Sequence, residues 1–334
     1  MKILYGVQGT GQGHISRARA LLPPLSERAE VDVLLSGYAC KVDLDGRVTY
    51  RKRGVSLMYD QQGRVSMVKT AKGLRLVRFL NDVQSLPLDE YDMVISDFEP
   101  VTAWAARYAG KACVGLSHQA AFLSAQTPRP DESSVVAEQI MRHFAPCSQA
   151  VGFHFERYDS FIEPPIIRPE IAGLNPRPGG HVTVYLPAYD YQTLRSIFLK
   201  VRSVRWHVFS PYCREKQLRD NVMIHPVDYE AFLKSIETSY GVIAGAGFTT
   251  CAEALYMGKK LLAIPIANQY EQRCNAAALD AMGVTTLTGL HEATPALLTN
   301  WLETAPEIQL TDKANPEDIV GRILSREKTM YGVG

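Results

Sequence analysis

The chain lacks any apolar run approaching the ~20 residues that a bilayer-crossing helix needs, which argues against a membrane-spanning architecture. It has no C-x-x-C pair. Its six cysteines (Cys40, Cys113, Cys147, Cys213, Cys251 and Cys274) are scattered, the pattern of reduced thiols and not of a disulfide frame or a zinc site. Charge of one sign is missing too: 36 basic against 35 acidic residues leave a net charge of +1, with no global basic field to attract nucleic acid. There is no solenoid-period repeat and no low-complexity tract. The amino terminus runs straight into a short strand and a glycine turn, without the charged and apolar regions of a signal peptide, so a cytoplasmic protein is expected.

What is present is ordinary globular material. A composition of 46% hydrophobic and 21% charged residues over 334 positions fits two domains, each able to bury a core. Apolar strand-like runs alternate with helix-like ones along the chain, a rhythm that predicts parallel sheets. The Pro- and Gly-rich stretch 163–180 reads as a linker between an N-terminal domain at 1–162 and a C-terminal domain at 181–315. A terminal helix is expected over 316–327.

The most informative stretch is Tyr240 to Gly283. Gly241 to Ala244 reads as a buried strand, Gly245-Ala246-Gly247 as a turn free of bulky side chains, and Phe248 to Met257 as a helix stopped by Gly258. Such a turn offers unpaired backbone N–H groups and a positive dipole end to an anion. Thr249 and Thr250 add hydroxyl donors, and Glu253, about one turn on, is a carboxylate suited to the two hydroxyls of a ribose. After the strand Lys260 to Ile264, Asn268, Gln269, Glu271 and Gln272 are donors and acceptors suited to a sugar ring. Phosphate turn, ribose carboxylate and polar loop in that order describe a nucleotide-sugar site.

Near the start, strand Lys2 to Val7 leads into Gly9-Thr10-Gly11-Gln12-Gly13-His14 and a helix over Ile15 to Arg28, which Pro23-Pro24 is expected to kink or shorten. His14 stands where a dinucleotide fingerprint requires its third glycine, which argues against a nicotinamide enzyme. Gly11 and Gly13 read as a phosphate-side loop. A further strand over Asp92 to Ser96 brings Asp97 to the same sheet edge, as a ligand-facing carboxylate or as a helix N-cap. His118 and Gln119 follow the next strand, and with Glu99 they are candidates for an acceptor pocket.

The sequence resembles the GT-B glycosyltransferases, and within them the UDP-glycosyltransferases and the enzyme that adds N-acetylglucosamine to lipid-linked muramyl-pentapeptide. The resemblance rests on Gly245-x-Gly247 with Glu253, on Glu271-Gln272-x-x-Asn275-Ala276 before Gly283-Val284, and on Gln12-Gly13-His14-Ile15. It implies two doubly wound Rossmann-like domains facing across a cleft, with the terminal helix crossing back onto the first. The donor would be a nucleoside-diphosphate sugar with Phe248 beside its site and Phe209, Ser210 and Val227 as candidates for contacts with its nucleobase. His14 would be the general base and Asp97 the residue that orients it. Transfer would invert the anomeric centre with neither metal nor cofactor. Asp43-Leu44-Asp45 spells the Asp-x-Asp metal motif of the other glycosyltransferase fold, but no apolar strand precedes it, and a surface turn is expected.

Gly11-x-Gly13-His14 with Arg17 also looks like the nucleotide-sugar hydrolases of nonulosonate synthesis. A sugar-nucleotide 2-epimerase and a non-catalytic nucleotide-sugar-binding subunit stay open as further readings. The acceptor implied is a lipid-linked or small molecule. Lys69, Lys72, Arg75 and Arg78 on a helix over Val68 to Leu80, with Leu74, Val77 and Leu80 on one face, form a solvated face or a peripheral contact with the inner face of a membrane.

Overall fold

The computed structural model describes residues 1–37, 44, 46–55, 76–266, 269–325 and 331–332. Asn268, Asp43, Asp45, Cys40, Lys69, Lys72, Leu74 and Arg75 lie outside the described residues.

The first half alternates strand and helix: β1 (Lys2–Gln8), α1 (Gln12–Ser26), β2 (Glu30–Ser36), β3 (Val48–Lys52), α2 (Leu76–Gln84), β4 (Met93–Asp97), α3 (Pro100–Tyr108), β5 (Cys113–Ser117), α4 (Val135–His143), β6 (Gln149–Phe153) and the short β7 (Ile162–Glu163). A one-turn α5 (Pro169–Ala172) lies in the connecting stretch. The second half continues with β8 (His181–Tyr185), α6 (Tyr191–Phe198), β9 (Arg205–Ser210), β10 (Gln217–Arg219), β11 (Val222–Pro226), α7 (Tyr229–Glu237), β12 (Gly241–Ala244), α8 (Phe248–Tyr256), β13 (Lys260–Ala263), α9 (Tyr270–Ala281), β14 (Thr285–Thr286), α10 (Pro295–Thr304), α11 (Pro316–Ser325) and β15 (Tyr331–Gly332).

These strands form two sheets. The first has the order β15-β6-β5-β4-β1-β2-β3, with β7 beside β6, and the second the order β10-β11-β9-β8-β12-β13-β14. In the first only β15 runs antiparallel to its neighbour, and in the second only β10. Both sheets carry the doubly wound order, in which the winding direction reverses at one place, between β1 and β4 in one and between β8 and β12 in the other. Ligands of open α/β sheets settle at that reversal, at the C-terminal strand ends.

Strand interiors explain the parallel pairing. Ile3, Leu4, Tyr5 and Val7 of β1 and Val242, Ile243 and Ala244 of β12 are buried on both sheet faces, the composition of a strand covered by helices on each side. One buried cluster joins the two halves: Leu21, Leu22 and Leu25 of α1, Ile319, Val320 and Ile323 of α11, and Val242, Cys251 and Leu255 of the second sheet and its helix. The terminal helix therefore rests on α1, and Arg322 ties it to Glu163 by an ion pair and to the Ser160 carbonyl at 3.2 Å.

Two local expectations change. Pro23 and Pro24 stand inside α1 without ending it, because they occupy its last turn and the chain closes through Glu27 N–H to the Pro23 carbonyl at 3.2 Å. In α2, Val77 is 74% exposed while Phe79 and Val83 face the core, so the apolar face expected to hold Val77 is not the packed one.

Candidate functional site

The C-terminal edges of the two sheets face each other across a cleft of about 690 Å³. Gly11 ends the turn after β1 at φ +110, a conformation that favours glycine, and α1 starts there without a side-chain cap. Gly247 ends the turn after β12, and α8 also starts without a side-chain cap. The two helix starts adjoin: a Cβ added to Gly13 would lie 3.0 Å from Thr249 Oγ1, and one added to Gly247 would project into open space. Two sets of orphan N–H donors and two positive dipole ends thus open onto one cleft.

His14 sits in the first turn of α1 and Asp97 is the last residue of β4, in register with Val7 of the adjacent β1. Nδ1 of His14 donates to Asp97 Oδ1 at 2.7 Å. Arg17, one turn along α1, donates Nη2 to the same oxygen at 2.6 Å and Nε to Oδ2 at 2.7 Å. Burial alone would push the Asp97 carboxyl up, but Arg17 and then His14 hold it below the ordinary carboxylate range. Phe98 takes a left-handed φ of 52, which turns the chain so that Asp97 faces α1 while the Phe98 ring lies parallel to the His14 ring at 6.4 Å. His14, Arg17 and Phe98 line the cleft, whereas Asp97 is fully buried behind them.

The N-cap of α3 is Glu99, not Asp97. Glu99 accepts from Val101 N–H at 2.8 Å, Thr102 N–H at 2.7 Å, Thr102 Oγ1 at 2.7 Å and Ser36 Oγ at 2.6 Å. Fully buried and used by the protein itself, it does not reach the cleft, and the acceptor-pocket expectation for it is corrected.

On the opposite wall Gly247, Phe248, Thr249, Thr250, Gln269, Glu271 and Gln272 line the cleft, the last two from the first turn of α9. Gln272 Oε1 accepts from Ile266 N–H at 2.9 Å. Gly245 lies just behind, where an added Cβ would stand 3.5 Å from the same Gln272 oxygen. Glu253 is elsewhere. It is 1% exposed, and Arg168 donates Nε and Nη2 to its two oxygens at 2.5 and 2.7 Å. Burial pushes its carboxyl up, against the pull of Arg168. With both oxygens engaged and no place among the lining residues, it ties α8 to the connecting stretch, and a ribose contact for it stays a proposal.

His118 and Gln119 bridge the walls. His118 stacks on Phe248 at 4.0 Å, with its nitrogens 2.7 Å from the Phe153 carbonyl and 2.9 Å from Asn275 Oδ1, and burial pushes its imidazole down. Gln119 donates Nε2 to Glu271 at 3.1 Å, and its buried Oε1 has no partner among the described residues. Cleft residues that the sequence reading missed are Gln8, Phe98, Phe144, Pro187, Ala188, Tyr212 and Ile266. The nucleobase candidates Phe209, Ser210 and Val227 are not in the wall, whereas Tyr212, beyond the end of β9, is, at 62% exposure. Only its place in a strand-end loop would have flagged it. No group of three or more potential metal ligands occurs among the described residues.

A family model described as Glycosyl transferase family 1 matches residues 1–306. No curated protein matches the chain. Among solved structures it is similar to MurG of Acinetobacter baumannii at 15% identity and TM-score 0.61, covering 98% of this chain and 99% of that one. It is also similar to Arabidopsis thaliana UGT89C1 complexed with quercetin, at 12% identity and TM-score 0.59 over 97% and 94% of the two chains. For the spinosyn forosaminyltransferase SpnP the values are 16%, 0.58, 98% and 99%. At such identities the likeness shows the fold, which is the GT-B fold.

Proposed function

The chain belongs to glycosyl transferase family 1, and on that footing we propose that it moves a sugar from a uridine or related pyrimidine diphosphate donor to an acceptor hydroxyl, inverting the anomeric centre. The observation that carries the reading is the pair of uncapped helix starts, α1 and α8, opening onto the cleft that His14 lines. In this reading the C-terminal unit holds the donor, and the N-terminal unit supplies the base and the acceptor site.

The step follows from the groups in the wall. With its proton on Nδ1 held by Asp97, His14 has Nε2 free to accept the acceptor's hydroxyl proton. The hydroxyl oxygen bonds to the anomeric carbon as the bond from that carbon to the diphosphate oxygen breaks, and the electron pair leaves with the diphosphate. Attack opposite the leaving group inverts the centre. The charge growing on the diphosphate falls where the first N–H groups of α8 and the two dipole ends converge, so the chain supplies the electrostatic stabilisation itself. Gln269, Glu271 and Gln272 take the sugar hydroxyls. An acceptor carried by lipid is part of the proposal, with exposed Leu76, Val77 and Arg78 of α2 meeting an anionic membrane surface.

Calorimetry with a panel of nucleoside diphosphates and their sugars tests the donor site. Parent protein should bind pyrimidine diphosphates, and Gly247→Leu, which fills the open space before α8, should bind them at least tenfold more weakly without losing its fold. Equal affinity in parent and variant would place the nucleotide elsewhere. Co-sedimentation with anionic vesicles at low salt tests the membrane arm, and loss of pelleting in Val77→Gln with Arg78→Gln is expected.

A further inference from the structure

Asp97 serves two residues at once. Its Oδ1 meets His14 Nδ1 at 2.7 Å and Arg17 Nη2 at 2.6 Å, its Oδ2 meets Arg17 Nε at 2.7 Å, and Arg17 Nη2 stands 3.2 Å from His14 Nδ1. Nδ1 cannot both donate to the carboxylate and accept from the guanidinium. A 2.7 Å approach to a carboxylate oxygen requires the hydrogen on Nδ1, so the Arg17–His14 approach sets a cation beside an N–H and is not a hydrogen bond. Arg17 is 6% exposed, so little water screens that charge.

We propose that Arg17 is a positioning residue for the transfer: its fork fixes the plane of Asp97 so that Oδ1 points at His14 and keeps the imidazole hydrogen on Nδ1. The inference rests on His14 being the base.

A carboxylate gripped by two parallel N–H bonds from a planar guanidinium cannot rotate away, whereas one held only by His14 can. With the hydrogen kept on Nδ1, Nε2 keeps the lone pair that accepts a proton. Other groups pack around the trio. Tyr5 of β1 lies beneath, its buried hydroxyl without a partner among the described residues. Glu271 of α9 couples to Arg17 across the cleft, and His118 beyond β5 couples to both. From β6, Phe153 sets its ring 5.4 Å from the guanidinium carbon.

The experiment compares kcat and donor KM for the parent, Arg17→Gln and Arg17→Lys, with ring-nitrogen NMR of His14 alongside. Both variants lack the two-bonded fork, so kcat should fall about tenfold in each while KM for the donor holds, and the share of His14 carrying its hydrogen on Nε2 should rise. An unchanged kcat in Arg17→Gln overturns the proposal, as does a loss confined to KM, which would make Arg17 a direct ligand of the diphosphate. Should Arg17→Gln fail to fold, the NMR of the parent decides: the hydrogen is expected on Nδ1, and a hydrogen on Nε2 would mean that Arg17 donates to Nδ1 and overturns the proposal. A parent that transfers from no nucleotide sugar defeats the proposed function itself, whereas an active parent with kcat unchanged in Arg17→Gln defeats only the role of Arg17.

Discussion

Arg168 clasps Glu253 with two parallel bonds, 2.5 and 2.7 Å long, across 85 residues of sequence, and Tyr229 supports the clasp by accepting from Arg168 Nη1 at 3.0 Å. It pins the connecting stretch to α8, the helix whose start faces the cleft. Removing one partner of a buried ion pair strands the other, at a cost of about 3–5 kcal/mol. Glu253→Ala should therefore lower the urea midpoint sharply while the folded variant binds nucleotide within a few-fold of the parent. Unchanged stability with a tenfold loss of nucleotide affinity would restore the ribose role.

Glu99 and Asp97 are two residues apart and should behave differently. Glu99→Ala removes the N-cap of α3 and its bond to Ser36, which should cost at least the 1–2 kcal/mol of an ordinary cap and leave the pH profile of transfer unmoved. Asp97→Asn should also cost stability, because it leaves the buried Arg17 guanidinium without its carboxylate, but its folded form should lose transfer, because the carboxylate that fixes the His14 tautomer is gone. Transfer rates by single turnover and midpoints by urea denaturation check both. A larger catalytic loss in Glu99→Ala than in Asp97→Asn would reassign the base's partner.

The second sheet carries a row of three histidines. The rings of His181 and His207 stand 4.0 Å apart and those of His207 and His225 5.1 Å apart, on β8, β9 and β11. Burial pushes all three down, His207 to about 3 and His225 to about 4, with neighbouring positive charge adding to the fall. The unfolded chain binds these protons near the ordinary value of about 6.5, so it holds more protons than the folded one between there and about pH 3–4. The stabilisation is complete above about pH 6.5 and is lost as the pH falls through that window. His207→Leu should flatten the dependence of the urea midpoint on pH between about 7 and 4. An equal slope in parent and variant would contradict it.

The strands and the glycine turn before α8 were legible because they are local: an apolar run, a small-residue turn and a helix start need no distant partner. His14 and Asp97 were legible as a pair because parallel strands bring their C-terminal ends to one edge. The partner of Glu253 was not legible, for the opposite reason. The spacing of Glu253 from Gly247 sets the turn of α8 but not which side of that helix is covered, and the covering residue arrives from the connecting stretch. The sequence leaves Asp97 open as a ligand-facing carboxylate or as the N-cap of α3, because a left-handed φ at Phe98, which sends Asp97 one way and Glu99 the other, leaves no mark in a run of ordinary residues. Arg17 was visible as the i, i+3 neighbour of His14, but its grip on Asp97 depends on the register of β1 against β4. Gln269, Glu271 and Gln272 were read as a loop, and the helix that carries the last two begins at Tyr270.

The most direct test of the account is single-turnover transfer from the best-bound nucleotide sugar into acceptors from a cell extract, measured for the parent and His14→Ala with nucleotide affinity measured alongside. The account predicts a loss of ~10²–10⁴ in the rate of transfer with nucleotide affinity nearly unchanged, because the base and the donor site stand on opposite walls. Equal losses of rate and affinity would show that His14 binds phosphate and is not the base, and would contradict the central claim.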